Sequence, residues 1–292
     1  MSVDDRAALA GIDCFASQQG WDAHWRAHLQ ASQERDALQR RILSDPPVDG
    51  IDGICALCAS RQRFALPSAH AAIPASLREE LRCSGCGLNA RVRAAFEMLA
   101  RVCPQPGARI FLTEQASRAF VWLRRRHPRC IGSEFMRSWM QRVRFTVWLW
   151  LRRTFVLPRF EDVTRLRLRD ASFDAVLSFD VLEHVPDYRS AIAEFARITC
   201  PGGWLIMTVP IDLSASTSIQ RARVRGDGTI EHLLEPEYHG DPLGAGVLCY
   251  HGFGWDLLDA LRDAGYRKPL IALPWNPPAA LYSGLQTVLA QR

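Results

Sequence analysis

The chain has 292 residues, of which 48% are hydrophobic and 23% charged, the values of an ordinary folded protein with a substantial core. Its net charge is only +5, Lys268 is its single lysine and the arginines are scattered, so the balance does not call for nucleic acid as a partner. The opening MSVDDRAALAGIDCF is acidic where a signal peptide is basic, and no apolar run approaches the roughly 20 residues of a membrane span, which points to a cytoplasmic protein.

Residues 1–50 read as a helical extension, with one helix over Asp22–Leu43 stopped by Asp45-Pro46-Pro47 and no assignable chemistry. Residues 51–103 hold Cys55-Ala-Leu-Cys58 and Cys83-Ser-Gly-Cys86, two C-x-x-C knuckles. Each knuckle can place two thiolates on one ion, and two complete a tetrahedral zinc site with no open position, hence a structural one. Gly85 and Gly87 permit the tight turns that aim backbone amides at sulfur. Disulfides are the competing reading, disfavoured in a reducing cytosol. Cys14, Cys103, Cys130, Cys200 and Cys249 have no such spacing and read as small buried apolar residues. A helix opens at Asn89 and runs to about Val102; Asn89, Arg91 and Arg93 face a substrate or neighbouring domain on one reading, and solvent on the other.

Residues 104–292 begin a third region with the strand Arg109–Leu112 and the loop Thr113-Glu-Gln-Ala-Ser117. No glycine lies between Gly107 and Gly132, so a close backbone approach in that loop falls to Ala116 and Ser117. A second strand, Cys130–Ser133, ends at Glu134. Residues 135–160 interleave arginines with Trp139, Trp148 and Trp150; a membrane-surface or nucleic-acid helix has this look, and so does an insertion packed on the core with its arginines in solvent. Glu161–Leu166 closes a third strand with an acidic loop.

The segment FDAVLSFDVLEHVPDYRSAIAEFARITCPGGWLIMTVP, residues 173–210, is the most informative. It holds a doubly buried strand, a helix N-capped by Asp187 with an apolar stripe at Ala191, Ile192, Phe195 and Ile198, a Pro201-Gly202-Gly203 stop, and a strand over Trp204–Val209. Strand, helix, strand is the crossover unit of a parallel sheet, and ligands of such sheets bind beyond the carboxyl ends of the strands, here Ser178 to His184. After Pro210 the sheet is interrupted by an insertion over 211–252 with His232, Tyr238, His239 and Asp241; a helix from Phe253 to Gly265 and a strand from Arg267 to Leu273 follow.

FDAVLSFDVLEHV joined to the Pro-Gly-Gly turn resembles the class I S-adenosylmethionine-dependent methyltransferases of the type 11 kind, over roughly residues 108–274. The resemblance implies an α/β fold, a Rossmann-like doubly wound sheet with an antiparallel last strand, preceded here by the small zinc-binding module. It implies that Glu134 accepts hydrogen bonds from the cofactor's ribose hydroxyls, that Asp162 and Val163 meet adenine, and that Glu114, Ser178 and Asp180 complete the cofactor site. Deprotonation of a hydroxyl acceptor suits histidine, which makes His184 and His239 the catalytic candidates; His184 also reads as a loop-stabilising residue or a cofactor contact.

The expected function is methyl transfer from S-adenosylmethionine to a small molecule or glycan, at oxygen. The alternatives are an RNA methyltransferase that uses the zinc module to hold RNA, and a catalytically silent scaffold. The expected cofactors are S-adenosylmethionine and a structural zinc held by Cys55, Cys58, Cys83 and Cys86.

Overall fold

The computed structural model describes residues 8–66, 76–136, 138–239 and 246–292. Contacts divide the chain into two compact units, one made of residues 1–15, 19–104 and 271–287, the other of 16–18, 105–270 and 288–292.

In the first unit, a hairpin of Ile51–Cys55 and Ser60–Ala65 pairs antiparallel with the short strand Arg82–Cys83. Both knuckles sit at the ends of these strands, so the sheet register itself brings them together. Phe64, Leu77, Leu81, Ala90 and Ala94 are buried with Leu281, Tyr282 and Leu285. A fully buried large apolar side chain contributes about 1.5–3 kcal/mol, so a few such residues hold this small unit. The segment 271–287 thus packs with residues far from it in sequence, and its Ile271–Leu273 pairs antiparallel with Asp13–Phe15.

The helix expected over Asp22–Leu43 is instead two, Gln18–Ala27 and Leu29–Ser44. His28 leaves helical geometry (φ −122°, ψ 28°) and turns its Nδ1 onto the His24 carbonyl at 3.0 Å. The helix Ala90–Val102 forms as expected, with Asn89 Oδ1 accepting the Val92 amide. Its polar start is turned away from solvent. Arg91 pairs with Glu79, and Arg93 is wholly buried within the unit.

The second unit is built on a Rossmann-like sheet. Ile131–Gly132, Ile110–Leu112, Phe173–Phe179 and Thr199–Thr208 are parallel neighbours in that order. Thr287–Gln291 closes on Thr199–Thr208 antiparallel, with Arg267–Leu273 next in order. The third strand is reduced to a single parallel bridge between Glu134 and Phe160. All seven residues of Phe173–Phe179 except Asp174 are buried, which explains its unbroken apolar run. The helix Tyr188–Ile198 starts on Asp187, which accepts the Ser190 amide at 3.1 Å.

Pro201-Gly202-Gly203 does not lie between helix and strand as expected. The helix ends at Ile198 and the strand begins at Thr199, so the turn is a bulge inside the strand. Phe173 pairs with Thr199 and Ala175 with Trp204, so residues 200–203 have no register partner. Gly203 is required there, since a Cβ would fall 2.9 Å from the Asp174 carbonyl oxygen.

The helix Trp139–Leu151 buries only Phe145 and Leu149. Exposed on it are arginines and also Trp139, Met140, Val143, Val147 and Trp150, so its packing on the core is slight. The expected helix over 253–264 is shorter, Leu257–Asp263, and ends before Gly265 at φ +93°.

Candidate functional site

The carboxyl ends of the parallel strands carry the predicted cofactor residues. The glycine-free loop after Ile110–Leu112 is held by Glu134, whose Oε1 accepts the amides of Gln115 (2.8 Å) and Ala116 (2.6 Å). Gln115 is buried; its side chain donates to the Leu157 carbonyl and accepts the Arg159 amide. Ser117 caps the following helix by accepting the Phe120 amide, and Glu114 lies in the same loop. Gly132 leaves room for the Phe120 ring, which would stand 2.8 Å from a Cβ.

Asp162 lies beyond the third-strand bridge, and its Oδ1 accepts the Thr164 amide and hydroxyl, making a local turn that includes half-buried Val163. Ser178 is buried and accepts a hydrogen bond from Thr113, joining two strands. Asp180 adopts φ +49° just past its strand and accepts from the Thr208 hydroxyl at 2.9 Å. Glu134, Asp162, Ser178 and Asp180 thus each follow or end a strand of one sheet, and each is oriented by a hydrogen bond.

The two catalytic candidates, 55 positions apart, are brought together. The His184 and His239 rings meet edge to face with centroids 5.4 Å apart. His184 sits on the short turn Leu182–His184 and its Nδ1 lies 2.9 Å from the Leu248 carbonyl oxygen. His239 ends the hairpin strand Tyr238–His239, paired with Val247–Leu248. Between them lies Glu183, 1% exposed, with Oε1 3.9 Å from His184 Nε2 and 3.6 Å from His239 Nδ1. Cys249 Sγ is 3.9 Å from His184 Nδ1. His232 is exposed on another hairpin strand, and Asp241 lies outside the described residues.

Charge is shared within this cluster. Burial works against protonation of His184, but Cys249, the Leu248 carbonyl and Glu183 outweigh it and raise its pKa. His239 is raised further, by Cys249 and then Glu183. Burial pushes the Cys249 thiol up, and the two imidazoles reverse that and lower it. Cys249 is buried as expected, and its sulfur also stands 3.9 Å from His184 Nδ1, while Glu183 is a further residue of the cluster. The available signal was composition: Glu183-His184 and Cys249-Tyr-His251 each place two metal-ligating residue types within three positions.

In the first unit, the sulfurs of Cys55, Cys58, Cys83 and Cys86 lie within 4.8 Å of one another, with Cys58 Sγ 3.8 Å from Cys83 Sγ. That spacing matches the edge of a tetrahedron of about 2.3 Å Zn–S bonds and is far from an S–S bond of about 2.05 Å. The amide of Cys58 donates to the Cys55 carbonyl at 3.2 Å and that of Gly87 to the Cys83 carbonyl at 2.8 Å, so each knuckle closes a tight turn. Gly85 is needed where it is: a Cβ would stand 3.0 Å from Cys58 Sγ and 2.6 Å from Gln62 Oε1.

Residues 117–207 match a protein-family model described as a methyltransferase domain. That stretch is similar to a methyltransferase domain. The chain is 31% identical over 96 residues to the 27-O-demethylrifamycin SV methyltransferase of Amycolatopsis mediterranei, covering 32% of this chain and 35% of that one. It is 27% identical over 127 residues to a probable S-adenosylmethionine-dependent methyltransferase of Mycolicibacterium smegmatis, covering 40% and 49%. The matches thus span about a third to a half of these curated relatives. Among solved structures, an S-adenosylmethionine-dependent methyltransferase from Mesorhizobium loti superposes with a TM-score of 0.43 at 20% identity, over 68% of this chain and 98% of that one. In the described residues no helix is long and apolar enough to cross a membrane.

Proposed function

We propose that this protein transfers the methyl group of S-adenosylmethionine to a small-molecule or glycan acceptor, at oxygen. The observation that carries the reading is the methyltransferase-domain match, because it spans Glu134, Asp162, Val163, Ser178, Asp180 and His184. A 27-O-demethylrifamycin SV methyltransferase among the relatives supports a small-molecule acceptor and oxygen as the methylated atom.

The donor set suits the cofactor. Glu134 would hold the ribose while its Oε1 anchors the loop. Asp162 and Val163 would hold adenine, and Glu114, Ser178 and Asp180 the remainder. Small Ala116 and Ser117 allow the backbone approach that glycine gives elsewhere. S-adenosylmethionine, when bound, supplies an electrophilic methyl group on sulfur. This chain's residues would position the acceptor in line with it, and positioning accounts for much of the rate in such displacements.

The acceptor end is assigned to the insertion 211–252. His184 and His239 both turn a nitrogen toward Glu183, so we assign them a joint role with Glu183 and Cys249 rather than that of two separate bases. We also assign the four-cysteine site one structural zinc ion, which the sulfur spacing supports.

Calorimetric titration with S-adenosylmethionine and S-adenosylhomocysteine tests the reading, followed by transfer of labelled methyl to small-molecule, glycan and RNA fractions. Binding without transfer to RNA is expected. Absence of any cofactor binding would leave a silent scaffold.

A further inference from the structure

Methyl transfer by itself does not explain Glu183. Its carboxylate is 1% exposed and neither oxygen accepts a hydrogen bond. Buried carboxylates persist when they are paired with charge or bound to a metal, because desolvation otherwise drives them to the neutral form. The groups around Glu183 are metal-ligating ones. One nitrogen of His184, one of His239 and the sulfur of Cys249 lie within 4.8 Å of one another.

We propose that His184, His239 and Cys249 bind one zinc ion, with the buried Glu183 carboxylate beside them and the four-cysteine site separate. The geometry fits a single ion. Tetrahedral bonds of about 2.0–2.3 Å to nitrogen, oxygen and sulfur give ligand–ligand edges of about 3.3–3.8 Å. The three ligand atoms lie within 4.8 Å of one another, and Glu183 Oε1 stands 3.6 Å from His239 Nδ1 and 3.9 Å from His184 Nε2, where its charge faces the ion.

The remaining nitrogens are already engaged as a metal site requires. His184 Nδ1 is 2.9 Å from the Leu248 carbonyl oxygen, and His239 Nε2 is 3.2 Å from Glu237 Oε1. Such contacts orient imidazole ligands, and Cys249 Sγ stands 3.9 Å from His184 Nδ1. Charge also balances: the Cys249 thiolate and the adjacent Glu183 carboxylate together offset a divalent cation held with two neutral imidazoles. Mixed nitrogen, sulfur and oxygen donors suit zinc rather than magnesium or calcium, which take oxygen.

The ion would tie the turn Leu182–His184, at the end of the central strand Phe173–Phe179, to both strands of the hairpin formed by Tyr238–His239 and Val247–Leu248. The Tyr250 amide already donates to the Glu183 carbonyl at 2.7 Å, so the backbone is joined at the same place. Zinc here would anchor the insertion over the sheet's carboxyl edge.

The test uses the full chain. Wild type and the His239→Ala/Cys249→Ser variant are saturated with Zn²⁺, freed of excess and analysed for metal. The variant is expected to hold one equivalent less than wild type; since the four-cysteine site is intact in both, the difference reports this cluster alone. Equal zinc content in the two folded proteins would overturn the proposal. Glu183→Gln keeps the side chain's shape and serves if the double variant does not fold. It is expected to weaken Zn²⁺ at this site by at least about 10-fold, as loss of a metal-supporting group does, and unchanged affinity would overturn the proposal.

Discussion

The Glu134 carboxylate accepts the Ala116 amide at 2.6 Å, so the residue expected to grip the cofactor's ribose also holds the loop that stands beside it. In a glycine-rich loop the chain approaches a ligand because side chains are missing. Here a carboxylate from the neighbouring strand fixes the backbone instead, with the Gln115 amide as its second donor. Loop order therefore depends on the same side chain that is proposed to contact the cofactor.

That dependence separates two variants. Glu134→Ala is expected to weaken S-adenosylmethionine binding by about 5- to 150-fold, the loss of about 1–3 kcal/mol of hydrogen bonding, and to loosen the loop as well. Asp162→Ala is expected to weaken binding within the same range without changing hydrogen exchange at Gln115 and Ala116. Calorimetry and amide exchange measure both. Unchanged affinity in two folded variants would place the cofactor elsewhere.

The four-cysteine site should hold one zinc per chain. Cys83→Ser with Cys86→Ser is expected to lose that equivalent and to lower the stability of the first unit, whose core includes Cys55 and Cys83. Metal analysis with thermal unfolding decides it. Retention of the full zinc content would refute the assignment.

Arg93 is the largest wholly buried polar side chain, and its guanidinium donates to the carbonyls of Ala279 (2.6 Å) and Ala280 (2.8 Å) and lies over the Phe64 ring at 4.4 Å. Arg93→Met is expected to destabilise the protein by about 2–5 kcal/mol, through carbonyls left unpaired in the interior. Arg93→Lys should recover little, because one ammonium does not reproduce the planar fork. Urea unfolding of both variants provides the comparison; a loss below about 1 kcal/mol in Arg93→Met would contradict it.

Glu97 gives a pH dependence of defined sign. Burial is the main cause that lifts its pKa from 4.5 to about 7, against the pull of Arg93 and Arg101. A carboxyl raised on folding favours the native state while protonated. Its contribution is complete below pH about 4.5 and is lost as pH rises through about 7. The full swing is on the order of 3 kcal/mol. Glu97→Gln should remove this slope and be more stable than wild type at pH 8. Urea midpoints of the two proteins between pH 5 and 8 check it, and parallel curves would show that Glu97 titrates normally.

His239→Ala is expected to leave cofactor affinity nearly unchanged while lowering turnover of a native acceptor by about 10²-fold or more, whether its part is acid–base chemistry or support of the insertion. Full turnover would remove His239 from the acceptor end. A matching loss of cofactor affinity would move it into the cofactor pocket.

The sequence by itself determined the elements whose reasons are local. Phe173–Phe179 reads as a buried strand because its apolar run is continuous, Asp187 starts its helix through a side-chain cap, and the two knuckles carry their own spacing. Only the tertiary structure decided what depends on distant partners. Arg93 read equally as a polar face toward a substrate or neighbouring domain and as a solvated helix start; the Ala279 and Ala280 carbonyls, 186 and 187 positions away, take its donors. Cys249 looked like filler until the hairpin carried it to His184, 65 positions earlier. Pro201-Gly202-Gly203 carries the same signal whether it stops a helix or bulges a strand; the pairing of Ala175 with Trp204 chose the bulge. Local propensity sets which elements form, while the partners of a buried polar group are set by how the chain folds back on itself.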